Sequence, residues 1–107
     1  MKIVNLTPHA INFVGEDGSE LFEIVSDGVV ARVATESVTI GNVNGIPVKK
    51  TMFGEVDDLP EPRPNTVYIV SSLVAQRCKD REDVFIPNES VRDEKGRVIG
   101  CKSLGKI

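Results

Sequence analysis

The sequence predicts a mainly β protein, α+β by element count, built as an antiparallel meander or small barrel with one short helix near residues 71–78. Short runs rich in Val, Ile and Thr recur along the chain with turn residues between them, as in small all-β folds. Asn44-Gly45 joins two of these runs, and only one stretch begins like a helix. Because a single helix is available, a parallel βαβ sheet is not expected.

The first elements alternate between short strands and tight turns. "KIVNL" is a β-like run that ends at Thr7-Pro8. "AINFV" and "ELFEIV" flank the turn "GEDGS", with Gly18 at the position that needs a left-handed backbone. "VVARVA" follows the next turn, and Arg32 interrupts its apolar run.

The middle of the chain carries the strongest hairpin signal. "SVTIGNV" and "IPVKKTMF" are joined by Asn44-Gly45, the pair that two-residue β-hairpin loops prefer. Pro47 cannot donate to a sheet ladder, so its strand is predicted at an edge. Residues 54–65 hold three prolines and four acids, which predicts an extended surface loop.

The last part places the helix between strands. "TVYIV" is rich in β-forming residues and predicts a buried strand. "SSLVAQRC" follows as a helix of about two turns, with Ser71 or Ser72 as its N-cap. "DVFIP" and "GRVIGC" are further strands, the second preceded by the turn "RDEKG".

The composition is that of one soluble domain spanning residues 1–107. Hydrophobic residues make up 40% of the chain and charged residues 27%, as in globular proteins. The formal net charge of −3 argues against general nucleic-acid binding, which needs a basic surface. No apolar run approaches the ~20 residues that cross a membrane, and the N-terminus lacks a signal-peptide pattern.

The two cysteines suggest a reduced, cytoplasmic protein. Cys78 and Cys101 form no CxxC pair and have no histidine at zinc-like spacing. We interpret them as ordinary thiols, and a disulfide between them is an alternative that only geometry decides. The sequence predicts no metal site and no cofactor.

A candidate anion site lies where "TVYIV" gives way to the helix. Ser71 and Ser72 stand at the helix start, where backbone N–H groups lack intrahelical partners and can hold a phosphate or carboxylate. Capping by a serine hydroxyl is the favoured interpretation, because serine caps are common and no glycine-rich phosphate loop is present. Arg77 and Arg81 follow the helix. A solvated turn of weak ion pairs is the favoured interpretation, and the alternative is that either arginine turns inward and binds an anion.

His9 is the only histidine and stands beside Thr7 on a segment stiffened by Pro8. We predict that this segment forms a rigid rim on which the imidazole contacts a ligand. A structural histidine is the alternative, and both are favoured over a general base, because no nucleophile is identifiable by spacing. The predicted ligand-binding residues are Thr7, His9, Ser71, Ser72, Arg77 and Arg81.

Four stretches carry a family resemblance: "NLTPHAINFV", "IPVKKTMFGEVDDLP", "YIVSSLVAQ" and "VRDEKGRVIGC". The chain resembles, over nearly its whole length, a family of small uncharacterised proteins of bacteriophages, prophages and bacteria. The resemblance implies a phage-associated accessory protein in the cytoplasm of a bacterial host, and it carries over no activity or site residue.

Three functions are therefore weighed from the sequence. The first is a non-enzymatic protein that binds a small anionic ligand, for example a nucleotide immune signal that it sequesters as a sponge. The second is a protein-interaction module that inhibits a host protein or joins a phage assembly. A small hydrolase that uses His9 ranks third. A homo-oligomer is expected, since a chain this small encloses a ligand more readily with copies of itself.

Overall fold

A computed structural model describes residues 1–107 as eight strands and one helix. The elements are β1 (Lys2–Asn5), β2 (Ile11–Val14), β3 (Glu20–Ile24), β4 (Arg32–Val43), β5 (Ile46–Asp57), β6 (Thr66–Ile69), α1 (Ser72–Arg77), β7 (Val84–Arg92) and β8 (Val98–Gly105). The predicted fold class, mainly β with one short helix near residues 71–78, is confirmed. The chain has no helix with the length and hydrophobicity that crossing a bilayer requires.

Six strands form one mixed sheet in the order β1-β6-β7-β8-β2-β3, and β4 and β5 form a separate pair. The two outer strands approach each other, because Asn5 at the end of β1 bridges to Ser26 just beyond β3. The Asp27 backbone N–H donates to the Asn5 carbonyl over 2.9 Å at this bridge. Of the two predicted architectures, the structure is therefore nearer to the small barrel than to the meander.

The expectation that the chain lacks a parallel βαβ unit is wrong. β6 and β7 pair in parallel, with Tyr68 opposite Val84 and Ile69 opposite Phe85, and α1 lies in the connection between them. One short helix is enough for one crossover, since a parallel pair needs a connection of only about a dozen residues. The pairs β1–β6 and β2–β8 are also parallel; their partners are far apart in sequence, so no crossover helix is needed.

β6 separates two buried clusters. Tyr68 and Val70 pack in the cluster beneath α1, with Val74 and Ala75 of the helix. Ile69 belongs to the other cluster, with Phe13 and Cys101. Successive side chains of a strand point to opposite faces, so the buried run that follows Thr66 supplies both cores at once.

The Asn44-Gly45 hairpin is confirmed and is the most extended feature of the molecule. Asn44 and Gly45 both have positive φ, 48° and 85°, as a type I′ turn requires. β4 and β5 have 12 residues each and pair only with each other, which confirms the edge position of Pro47. We call residues 32–57 the arm. The radius of gyration is 17.0 Å, against about 13 Å for a compact chain of this length, because the arm projects from the body.

The remaining loops agree in part with the sequence. Gly18 and Gly96 have φ of 82° and 81° in the two predicted turns. The predicted loop over residues 54–65 is shorter, because residues 54–57 complete β5. Both cysteines are free; Cys78 is half-buried at the end of α1 and Cys101 is buried. Burial raises the pKa of each thiol.

Candidate functional site

A groove of about 480 Å³ lies between the base of the arm, the Thr7-Pro8 turn and the start of α1. Its floor is apolar and includes Leu6, Ala31 and Val74, which are at most 3% exposed. The polar side chains that line the groove are Thr7, Arg32, Thr35 and Ser71. The structure thus brings together two of the six predicted site residues, Thr7 and Ser71.

Thr7 is held in place by the buried side chain of Asn5. The Asn5 Oδ1 accepts from the Thr7 backbone N–H at 3.0 Å and lies 2.7 Å from the Thr7 hydroxyl. That hydroxyl also lies 3.0 Å from the His9 carbonyl, so its single proton serves one of two protein acceptors. Thr7 therefore shapes the wall of the groove, and its hydroxyl proton is already used.

Ser71 is the N-cap of α1, as the sequence predicts. Its backbone is extended (φ −68°, ψ 159°), and its Oγ accepts from the Val74 N–H at 3.5 Å. A hydroxyl that accepts in this way still has its own proton to donate, so Ser71 caps the helix and can also donate into the groove. Ser72 is exposed and lies outside the groove lining.

His9 does not reach the groove. Pro8 lines it, but the His9 side chain is exposed and forms no hydrogen bond within the protein. Only the backbone of His9 is engaged, because its carbonyl accepts from the Asn5 side-chain amide at 2.8 Å. The structure therefore places the imidazole in solvent beside the turn.

Arg77 and Arg81 face away from the predicted anion site. The Arg77 Nη2 donates to the Gly54 carbonyl at 3.3 Å and so ties the end of α1 to the arm. Arg81 donates to both carboxylate oxygens of Asp83, at 2.8 and 2.9 Å, and to the Pro60 carbonyl at 3.0 Å. Hydrogen bonding between the two side chains raises the pKa of Arg81 and lowers the pKa of Asp83. This pair is a largely buried structural contact rather than a weak solvated one.

This geometry predicts a pH-dependent effect of Asp83→Asn. At pH 7 we expect the substitution to lower the free energy of unfolding by about 1.5–3 kcal/mol, the range for hydrogen bonds to charged groups. Because the folded-state pKa of Asp83 is lowered, its stabilisation is present above the unfolded pKa of about 3.9 and is lost as pH falls through the folded pKa. Urea unfolding at pH 7, 5 and 3 should show a difference from wild type that shrinks at pH 3. Asp80→Asn, at an exposed neighbour, is the control, and a difference that stays constant with pH would contradict the assignment.

Arg32 and Thr35 are groove residues that sequence reasoning missed. Arg32 faces Asp57 across the hairpin in register, yet the ion pairs within 4 Å are Arg81–Asp83, Arg97–Asp93 and Lys102–Glu16. Neither Arg32 nor Thr35 forms a side-chain hydrogen bond within the protein. The signal for Arg32 was present, since a lone charge interrupts the apolar run "VVARVA".

A second cavity, of about 200 Å³, lies between β2, β7 and β8. Asn12 lines it, and the buried Oδ1 of this residue has no hydrogen-bond partner. Gly100 also lines it, and a Cβ at that position would lie 2.8 Å from the Asn12 carbonyl oxygen. None of the predicted site residues lies here.

The groove at the arm base is therefore the site that the sequence-predicted residues share. It combines an apolar floor with Arg32, which forms no ion pair within 4 Å, and with the hydroxyl residues Thr35 and Ser71. No three His, Cys, Asp or Glu side chains converge in the manner of metal ligands. Comparisons of the chain with protein-family models, curated proteins and solved structures found no match.

Proposed function

We propose that this chain binds a small anionic ligand in the groove at the base of the arm and does not transform it chemically. The observation that carries the proposal is Arg32, which lines the groove and forms no ion pair within 4 Å. Arginine is the side chain best suited to bidentate contact with a phosphate or carboxylate. Thr35 and Ser71 would add hydroxyl donors on either side.

The shape of the groove favours a ligand with an apolar part as well as an anion. A volume of about 480 Å³ lies within the range of sites for small molecules. The floor of Leu6, Ala31 and Val74 suits a flat ring, while Arg32 suits a phosphate. A nucleotide has both parts. With the phage setting that the sequence resemblance implies, this supports a cytoplasmic accessory protein that sequesters a nucleotide signal of host immunity.

Non-enzymatic binding is preferred over catalysis because the residues that line the groove include no pair that could act as nucleophile and general base. The groove is lined by neither histidine, cysteine nor carboxylate, the groups that most often act as general bases or activated nucleophiles. The His9 imidazole lies outside it. A His9-dependent hydrolase therefore remains the third-ranked function.

The test is calorimetry of the wild-type protein with a panel of mononucleotides and cyclic dinucleotides. For the tightest binder, we expect Arg32→Ala to weaken affinity about 10-fold or more, because a charge-assisted hydrogen bond is worth roughly 1.5–3 kcal/mol. Arg63→Ala is the matched control, since Arg63 is exposed and outside the groove. Equal affinities for the two variants, or no binding to any member of the panel, would refute the proposal.

Chromatography of the bound nucleotide separates binder from enzyme. After prolonged incubation and denaturation of the protein, we expect the nucleotide to be recovered intact. A cleaved product that disappears in His9→Ala would instead establish a hydrolase.

A protein-interaction module is the second candidate, and the exposed arm favours it. The arm carries several large apolar side chains on its surface, among them Val43, Ile46 and Met52, which are 59%, 65% and 47% exposed. Exposed apolar patches of this kind mark interaction sites.

A further inference from the structure

The arm has one apolar face, and most of it is uncovered. Residues directly opposite each other in a hairpin share a face, and the register pairs Val43 with Ile46 and Glu36 with Met52. Val38 lies on the same face, opposite Lys50. The reverse face carries the polar pairs Asn42–Pro47, Thr39–Lys49 and Ser37–Thr51.

The arm contacts the body through the base of its reverse face, where Val33 and Val56 pack against the cluster beneath α1. On the apolar face, Val38, Val43, Ile46 and Met52 are 41–65% exposed. No strand pairs with the outer edge of β4 or β5. An isolated two-stranded hairpin is marginally stable in water, so we expect the distal arm, residues 37–51, to be covered by a partner.

We propose that the partner is a second copy of this chain, and that the distal arm of each copy docks along β3 of the other. This proposal is independent of the ligand proposed above. β3 is the last strand in the sheet order. β1 approaches only its end, through the Asn5–Ser26 bridge and the hydrogen bond from the Asn5 side chain to the Ile24 carbonyl, and no strand pairs with the outer edge before Ile24. An open edge accepts a further strand by backbone hydrogen bonding.

The charges of the two surfaces are complementary. The distal arm contains Lys49 and Lys50 and no acid. Residues 15–28, which contain β3, include no Lys or Arg and five acids, namely Glu16, Asp17, Glu20, Glu23 and Asp27. Of these, only Glu16 has a basic partner, Lys102 at 3.9 Å.

Apolar side chains accompany the acids on the β3 surface. Leu21, Phe22 and Val25 are 61%, 51% and 65% exposed. Phe22 is anchored from below by stacking on Phe13, with ring centroids 5.2 Å apart. The β3 edge therefore offers an apolar strip with acidic flanks, and the distal arm offers an apolar strip that holds Lys50, with Lys49 on the reverse face.

The surface area that one contact would bury favours a dimer in which each copy docks its arm on β3 of the other. Seven residues of extended hairpin cover about 24 Å by about 10 Å, so one arm on one edge buries roughly 500 Å² over both partners. That is the size of an adventitious contact, whereas two such contacts related by a two-fold axis bury about 1,000 Å², the lower bound of a specific interface.

The test is a charge swap, followed by sedimentation velocity in reductant at low and high salt. We expect the wild type to be a dimer that weakens with salt. Lys49→Glu/Lys50→Glu and Glu20→Lys/Glu23→Lys should each weaken dimerisation at least 10-fold. A 1:1 mixture of the two double variants should restore the dimer, because each arm then meets an edge of opposite charge. Lys79→Glu/Lys95→Glu, at exposed positions outside both surfaces, should leave the dimer unchanged.

Several results would overturn the proposal: a wild type that stays monomeric at all concentrations, a dimer indifferent to the arm variants, or variants that fail to associate on mixing. If a charge variant does not fold, Val43→Thr/Ile46→Thr replaces it, since threonine keeps β propensity and removes apolar area. If that variant leaves dimerisation unchanged, the arm is not part of the dimer interface.

Discussion

Replacing Asn5 by alanine should lower the free energy of unfolding by about 3–5 kcal/mol, because each buried group left without a partner costs roughly 1–3 kcal/mol. The Asn5 side chain is 1% exposed. Its amide donates to the carbonyls of His9 and Ile24 at 2.8 and 3.0 Å, and its oxygen accepts from the Thr7 N–H. Alanine would leave the half-buried Ile24 carbonyl and Thr7 N–H without this partner, whereas the His9 carbonyl would keep the Thr7 hydroxyl.

The effect should be large because Asn5 closes the sheet. Its side chain reaches Ile24 on β3 and its backbone carbonyl accepts from Asp27, so one residue links the two outer strands. The same side chain fixes the Thr7-Pro8 turn that walls the groove. We therefore expect Asn5→Ala to loosen the site as well as the fold.

Thermal and urea unfolding measure the loss, and Asn12 supplies the control. The Asn12 Oδ1 is buried without a partner, and its amide makes only one long contact, 3.4 Å to the Ile99 carbonyl. Asn12→Ala should cost less than about 1 kcal/mol, since little hydrogen bonding is removed. Similar losses in the two variants would show that Asn5 does not act through its hydrogen bonds.

The features that the sequence predicted well are those set by neighbouring residues. The Asn44-Gly45 turn needs two consecutive positive φ angles, a requirement that these two residues meet by themselves. Ser71 is a helix cap for an equally local reason, because its hydroxyl meets an N–H three residues along the chain. The starting position of α1 follows from this cap.

The features that it missed depend on residues far apart in sequence. The presence of only one helix argued against a parallel βαβ sheet. One helix is nevertheless enough to connect the single parallel pair β6–β7. Arg32 became a groove residue only because the arm folds its base against the Thr7-Pro8 turn and α1. The sequence offers Arg81 either a solvated turn or an inward contact with an anion, whereas Asp83, two residues away, binds it in a bidentate pair. No sequence pattern identified Asn5, which occupies an ordinary position in a strand.

The second large effect is expected from Ile69→Ala, which should lower the free energy of unfolding by about 2–5 kcal/mol, as for other fully buried Ile→Ala changes. Ile69 is 0% exposed and packs with Phe13 and Cys101, on the face of β6 opposite α1. These neighbours lie on β2 and β8, across the curled sheet. Closure between Asn5 and Ser26 hinders the sheet from collapsing into the space left by the side chain, so we expect the cost near the upper end.

Urea unfolding of Ile69→Ala should show a lower midpoint with an unchanged slope, since the area exposed on unfolding is nearly the same. Ile107→Ala makes the identical chemical change at a residue that is 44% exposed at the C-terminus, and it should cost less than about 0.5 kcal/mol. If the losses in unfolding free energy of the two variants differ by less than about 1 kcal/mol, the cluster of Ile69, Phe13 and Cys101 collapses freely around the shortened side chain. The six strands would then behave as an open sheet whose edges separate easily, and Asn5 would lose its role as the link that closes it.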